Sequence, residues 1–232
     1  MAPSVLAVAG VGLLLGFRHA FEPDHLAAVS TLATRSPRLL GAARIGAAWA
    51  VGHTASVGIV VLAIVLLEVR LPESLWPAAD FLVALLLIGL GMSVLTRYAR
   101  GRWHLHPHAH GGEAPHLHLH SHAAEAAHAH AHPTGDARRS LGFGLLHGLA
   151  GSAAVLLLLV AAAESRAVQL AYFAAFGVGT LAGMLAVTLS IAVIVRVASQ
   201  RGARWATALH LGAAVASVSV GFVLAWRVVG GL

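Results

Sequence analysis

The stretch GFRHAFEPDHLAAV, residues 16–29, decides the fold because it lies within an apolar segment long enough to span a membrane. Between residues 18 and 25 it places five polar or charged side chains and a proline: Arg18, His19, Glu22, Pro23, Asp24 and His25. A charged side chain inside a bilayer costs at least about 2.5 kcal/mol and usually marks a transport pathway or a binding site. The stretch therefore predicts a functional site inside a membrane helix.

The composition is that of an integral membrane protein. Of 232 residues, 58% are hydrophobic and only 10% are charged, whereas a soluble domain carries about 25% charged residues. Cysteine is absent, which excludes disulfides and thiolate metal ligands. All fifteen basic residues are arginines and the net charge is +6. In a membrane protein this charge indicates topology and lipid contact, and no nucleic-acid partner is expected.

Apolar segments of about 20 residues predict an all-α integral membrane fold with six transmembrane helices. The first is expected to be a retained helix rather than a signal peptide, because no positive region precedes it. It should be broken near Pro23, where the ring displaces the carbonyl of His19. The expected helices are Pro3–Thr34, Leu40–Leu67, Pro77–Tyr98, Leu141–Ala163, Ala167–Ala198 and Ala203–Val229.

The two halves of the chain resemble each other. LGFRHAFEPDHLAAV from Leu15 and LGFGLLHGLAGSAAV from Leu141 share six of fifteen positions without a gap. Three helices per half is an odd number, so the halves would enter the membrane as two inverted three-helix repeats, a transporter architecture. Chance similarity between Ala/Gly/Leu-rich helices is the alternative. The predicted organisation is repeat 1 in 1–100, a His-rich loop in 101–139 and repeat 2 in 140–232.

Arginines concentrate in three of the predicted loops. The positive-inside bias predicts that these loops are cytoplasmic, in a bacterial-type inner membrane, with both termini outside. The arginines concerned are Arg35, Arg38, Arg44, Arg97, Arg100, Arg102, Arg138, Arg139, Arg196, Arg201 and Arg204.

The polar side chains around Pro23 could bind a metal ion only if the helix opens. On a straight helix His19, Asp24 and His25 would point to about 0°, 140° and 240°. We expect the break to let them converge beside a freed backbone carbonyl. Two imidazoles, two carboxylates and no sulfur favour nickel, cobalt or zinc. The alternative is structural: Arg18 would form ion pairs with Glu22 or Asp24.

Three further histidines fall within predicted helices. His53 lies near the middle of the second helix, and either ligates the ion or forms an interhelical hydrogen bond. His147 lies among glycines that favour close helix packing, and is a candidate ligand or gate. His210, near the start of the last helix, is expected at the interface with water.

The segment between Trp103 and Pro133 contains eleven of the sixteen histidines, mostly at alternate positions. Its Gly, Pro and Ala content predicts a disordered linker. Neighbouring imidazoles would bind divalent metal weakly and exchangeably, and a merely solubilising loop is the alternative. The histidines are His104, His106, His108, His110, His116, His118, His120, His122, His128, His130 and His132.

RHAFEPDHL resembles the signature of the nickel/cobalt transporter superfamily, a His followed by an Asp-His pair. The resemblance implies that His19, Asp24 and His25 are metal ligands. The family usually has Asp at the position of Glu22 and a small residue at that of Pro23. VGHTASV, from residue 51, and LGFGLLHGLAGSAAV resemble further segments of its shorter branch, which includes urease-accessory membrane proteins.

The leading functional hypothesis is a permease for nickel or cobalt, with import and export both open. The ion would be cargo at a site formed by His19, Glu22, Asp24, His25, His53 and His147, with no permanent cofactor. Alternatives are a zinc permease and a membrane-bound accessory protein for a nickel enzyme, whose partners would be metalloenzyme-maturation proteins. No enzyme is expected, because the sequence has neither a His-Glu-x-x-His motif nor a nucleophile with a base. The oligomeric state is left open.

Overall fold

The computed structural model describes residues 5–33, 39–69, 72, 74–100, 103–108, 116–121, 133–149 and 165–231. Side chains are described in all of these except 103–108, 116–121 and 133–136. Apart from one short hairpin, the described elements are helices, as the sequence predicts. They are α1 (Val5–His19), α2 (Pro23–Ala33), α3 (Leu39–Leu67), α4 (Leu75–Ala99), α5 (Pro133–His147), α6 (Arg166–Gln200) and α7 (Ala203–Gly230).

The predicted break in the first span lies between α1 and α2, whose axes differ by 57°. Pro23 is the first residue of α2, a position where a missing N–H is tolerated and the fixed φ suits a helix. The expectation of a freed His19 carbonyl was wrong. That oxygen accepts a hydrogen bond from the Glu22 backbone N–H at 3.0 Å, because a tight turn replaces the helical hydrogen bond that Pro23 cannot donate.

The chain is a multi-pass membrane protein. Four helices (α3, α4, α6 and α7) are long and apolar enough to span a bilayer, or five spans if the bent α1–α2 pair is one. Large apolar side chains such as Leu6, Val51 and Trp226 face outward, being 54–83% exposed, as lipid contact requires. The helix expected at Leu141–Ala163 instead starts at Pro133 and ends at His147, where a turn at residues 148–149 follows. Residues 150–164 of that span lie outside the described residues, so the count of six remains a prediction.

Glycines bring the helices together in pairs. A Cβ at Gly16 of α1 would meet the backbone of Phe176 in α6, and one at Gly144 of α5 would meet the backbone of Trp49 in α3. Residue numbers rise together along the interface of α1 with α6 and along that of α3 with α5, so the two helices of each pair are parallel. In contrast, Gly91 of α4 meets α7, and the numbers run in opposite directions there. Such small-residue contacts hold membrane helices at short range, where van der Waals packing stabilises them.

The His-rich segment contains two short strands, β1 (Trp103–His108) and β2 (His116–Ser121), paired antiparallel. The prediction of a disordered linker therefore differs from the structure for these twelve residues, whose alternating pattern also suits a strand. The register sets histidine opposite histidine three times: His104 with His120, His106 with His118, and His108 with His116. His110, His122, His128, His130 and His132 lie outside the described residues.

Candidate metal centre

Four helices bring a cluster of histidines together at the break in the first span. His19 is the last residue of α1 and His25 lies in the first turn of α2. His53 comes from α3, and His147 is the last residue of α5. Their side chains are at most 5% exposed. The 57° bend turns His25 back towards His19, and their ring centroids are 4.4 Å apart.

The imidazoles of His19 and His53 face each other directly, with their Nε2 atoms 3.1 Å apart. Two nitrogens are about 3 Å apart when both lie about 2.1 Å from one divalent ion at an angle near 90°. The pair therefore has the spacing of two metal ligands. A hydrogen bond between neutral rings is the other use of this spacing, and it requires that one ring donate and the other accept.

Asp24 connects the rest of the cluster. Its Oδ1 lies 3.1 Å from Nδ1 of His25, and its Oδ2 lies 2.9 Å from Nε2 of His147. The second contact joins residues 123 apart in sequence, and so links the two halves of the chain. Each carboxylate oxygen thus contacts one imidazole, an arrangement that fixes the orientation of both rings.

Glu22 lies on the other edge of the His19 ring, with Oε1 3.1 Å from Nδ1. A carboxylate that accepts from one imidazole nitrogen orients the other nitrogen towards a metal and makes it more basic. Glu22 therefore has the geometry of a positioning residue for His19. The alternative of Arg18 ion pairs has no support here, because Glu22 and Asp24 both face histidines and Arg18 is exposed.

Three buried imidazole nitrogens of the cluster have no hydrogen-bond partner among the described residues. They are Nε2 of His25, Nδ1 of His53 and Nδ1 of His147. Two triads have ligand atoms that all lie within 4.8 Å of one another: His19–His25–His53 and Asp24–His25–His147. The first triad offers three neutral nitrogens, and the second adds a carboxylate. Either triad can hold a divalent transition-metal ion and leave a coordination position open.

The acidic side chains form the accessible edge of this cluster. Glu22 is 40% and Asp24 is 22% exposed at the side chain, whereas His25, His53 and His147 are enclosed. A cation that arrives at this edge therefore meets negative charge first and imidazole nitrogen second. This order suits the capture of a hydrated dication.

Of the residues predicted for the site, His19, Glu22, Asp24, His25, His53 and His147 all lie in one cluster. Their role as ligands stays a prediction. His210 lies outside it, and is buried in α7 rather than placed at an exposed helix end. The loop histidines are not described at the level of side chains.

Two aromatic neighbours of the cluster were not predicted. Phe176 packs against His19 with ring centroids 5.4 Å apart, and Trp49 packs against His147 at 5.3 Å. Trp49 lies one helical turn before His53, a spacing that puts both on one face of a helix. That spacing was the available signal for Trp49, whereas Phe176 had none in the sequence by itself.

One of three comparisons with known proteins identifies the family of this chain. No family model matches the chain, and no solved structure matches it. The chain is similar to the urease accessory protein UreH of Bacillus sp. (strain TB-90), with 32% identity over 190 residues that make up 82% of this chain and 78% of the relative. The similarity extends over most of both proteins, well beyond the histidine motif. The chain therefore belongs to the urease-accessory branch of the nickel/cobalt transporter superfamily.

Proposed function

We propose that this protein carries a divalent transition-metal ion, nickel or cobalt, across the membrane through the histidine cluster. The observation that carries the proposal is the contact of His19 with His53 and of Asp24 with His147, inside a broken membrane span. Irregular backbone at this depth is tolerated only where it is buried in protein or lines a cavity. A metal site formed by these side chains would explain why the helix is broken at this depth.

The donor set selects the class of ion. Imidazole with carboxylate and no sulfur suits nickel, cobalt and zinc, and disfavours copper(I). Three imidazoles at His19, His25 and His53 leave coordination positions open, as sites that exchange their ligands do. Zinc is the nearest competitor, and competition between zinc and nickel in the flux assay described below tests the preference.

Helix contacts support the inverted repeat. Adding 128 to a residue number in α1 gives its proposed counterpart in α5, and subtracting 127 from a residue number in α6 gives its proposed counterpart in α3. By this rule the contact between Gly16 and Phe176 corresponds to the contact between Gly144 and Trp49. The same shifts turn the Gly179 contact with Leu13 into the Gly52 contact with Leu141. The register differs by two residues from the ungapped alignment of the motifs. In the new register His19 corresponds to His147.

The third pair of helices follows the same rule with a shift of 130. A Cβ at Gly91 would meet the carbonyl oxygen of Ala214, and one at Gly221 would meet that of Ala84.

Gly46 meets Thr188 and Gly58 meets Phe173, so α3 and α6 run in opposite directions. Because α1 is parallel to α6 and α5 is parallel to α3, each helix is antiparallel to its counterpart: α1 to α5, α3 to α6 and α4 to α7. A two-fold axis in the membrane plane relates two such halves, the symmetry on which alternating access depends.

The proposed orientation puts the arginine-rich loops and the histidine hairpin in the cytoplasm. The ion pair of Glu68 with Arg166 at 2.7 Å supports this, because it places the end of α3 and the start of α6 on one side, the side with few arginines. Facing histidines in β1 and β2 would then concentrate ions at the cytoplasmic mouth. The six-span topology and the inner-membrane location are part of this proposal.

Flux of radioactive nickel into or out of vesicles that contain the purified full-length protein tests the proposal. We expect His19→Ala and Asp24→Asn to reduce flux by roughly 10- to 100-fold, because each removes a ligand or the carboxylate that orients two. His210→Ala, a buried histidine outside the cluster, should leave flux unchanged. Parental flux in both cluster variants would refute the site.

A second function is favoured by the name of the relative, a urease accessory protein. The chain would then hold nickel for a maturation partner without moving it across the membrane. Parental vesicles that bind nickel but show no flux would support this function over transport. In cells, a deletion strain that accumulates metal indicates export, and one that loses nickel-enzyme activity but recovers it with added nickel indicates import.

A further inference from the structure

The two ligand triads share one residue, His25. Its ring centroid lies 4.4 Å from that of His19 and 4.3 Å from that of His147. The rings of His53 and His147 are farther apart, at 6.2 Å. His25 therefore lies between two groups of ligands rather than at the edge of one group.

The two edges of the His25 ring have different surroundings. Nδ1 faces Asp24 at 3.1 Å, whereas Nε2 is buried without a hydrogen-bond partner among the described residues. A ring that donates from Nδ1 to a carboxylate presents the lone pair of Nε2 to a metal. His25 is thus already oriented for the triad with His19 and His53, while its other edge contacts the triad of Asp24 and His147.

Each triad contains one histidine that packs against an aromatic ring from another helix. His19 has Phe176 at 5.4 Å between ring centroids, and His147 has Trp49 at 5.3 Å. The helix contacts relate these two pairs by the same shifts of 128 and 127. The shared His25 therefore has equivalent neighbours from the two halves of the chain on its two sides.

We propose that the cluster holds one ion in two alternative positions, and that His25 passes it between them. This rests on the proposed function. In one position the ligands are His19, His25 and His53, and in the other they are Asp24, His25 and His147. The ion keeps three protein ligands by exchanging two histidines for a carboxylate and a histidine. A neutral imidazole has one lone pair at a time, so His25 binds one ion at a time and the positions are filled in turn.

The second position needs Nε2 of His147 and Nδ1 of His25 to give up the hydrogens that they donate to Asp24. The other nitrogen of each ring, Nδ1 of His147 and Nε2 of His25, is buried without a hydrogen-bond partner among the described residues and can carry that proton. Each neutral ring then has a free lone pair on the nitrogen that faces Asp24, and no proton leaves the site. The ion exchanges neutral nitrogen ligands for a set with one negative charge, a difference that separates the two positions spectroscopically.

Titration with Co²⁺ tests the two positions in the full-length protein with all eleven loop histidines replaced by Asn. The parent should bind one intramembrane Co²⁺. His53→Ala and His147→Ala should each still bind one, about tenfold more weakly. Their visible spectra should differ from each other, because the first variant retains a carboxylate ligand and the second retains three nitrogens. His25→Ala should lose binding by about 100-fold. His210→Ala is the control for the loss of a buried histidine.

Nickel flux in the same variants completes the test. His53→Ala and His147→Ala should bind the ion yet lose roughly tenfold or more of the flux, since neither can pass it on. Identical spectra in the two variants, loss of Co²⁺ in both, or parental flux in either would overturn the proposal. Distinct spectra together with a parent that shows no flux would refute transport but retain the two positions.

Discussion

His19 and His147 lie at the ends of two helices, α1 and α5, that contact their neighbours in the same way. Gly16 supports the first contact and Gly144 the second, and both meet the backbone of an aromatic residue. Beyond His19 the chain turns into Pro23, Asp24 and His25, whereas beyond His147 the sequence GLAGSAA has no ligand side chain. The two helix ends thus have matching contacts but are followed by residues of different chemistry.

This difference explains why the described residues bring His19 and His147 into one cluster rather than two separate ones. The ends of α1 and α5 come together at this cluster, but only the first half of the chain supplies the carboxylates and the shared histidine. The second half contributes His147, and its Nε2 contacts Asp24 of the first half at 2.9 Å.

The largest expected effect concerns the shared scaffold. Gly16→Ala and Gly144→Ala should each lower stability by about 1 to 3 kcal/mol, because the added Cβ would force apart the backbones of two packed helices. Gly10→Ala and Gly142→Ala, in the same two helices and with no described atom within 4 Å of the added Cβ, should be neutral or slightly stabilising. Unfolding of the purified protein, followed by circular dichroism, measures all four. If only one of the Gly16 and Gly144 variants lost stability, the two helix contacts would not be equivalent.

A smaller effect should distinguish the first half from the second. Glu22→Gln keeps the size of the side chain but removes the charge that orients His19, so affinity for nickel should fall by about tenfold. Arg18→Gln changes a neighbouring exposed charge and should leave affinity unchanged. Isothermal titration with Ni²⁺, in the protein without loop histidines, provides the measurement. Equal losses in both variants would show that general electrostatics, rather than the contact at 3.1 Å, determines affinity.

The smallest effect concerns Thr180. In the proposed repeat, where 127 is added to a residue number in α3, Thr180 of α6 is the counterpart of His53. It is fully buried, and its hydroxyl has no hydrogen-bond partner among the described residues. We expect the hydroxyl to stabilise an ion that is bound by Asp24, His25 and His147. Thr180→Val should weaken Co²⁺ binding by about fivefold, equivalent to about 1 kcal/mol, and Thr180→Ser should restore it. If valine and serine behave alike, the second half contributes no ligand beyond His147.

Local chemistry made several features predictable. Pro23 cannot donate a helical hydrogen bond, so a break could be placed before the structure was known, and the break lies there. Asp24 and His25 follow it directly, and so the polar stretch could be recognised as a candidate site. Composition alone identified a multi-pass membrane protein. The hairpin in the histidine segment was missed because composition indicates disorder and only the strand register distinguishes a paired segment.

The sequence by itself determined where the span breaks and which donors are available, since both depend on residues within a few positions of Pro23. Only the tertiary structure decided that His147 meets Asp24 and that Glu22 contacts His19. The helix contacts likewise favour a shift of 128 over one of 126 in the proposed repeat. These contacts depend on how closely α1 packs on α6 and α5 on α3. That distance is set by glycines meeting backbone across a helix interface, a property of two surfaces that no single segment contains.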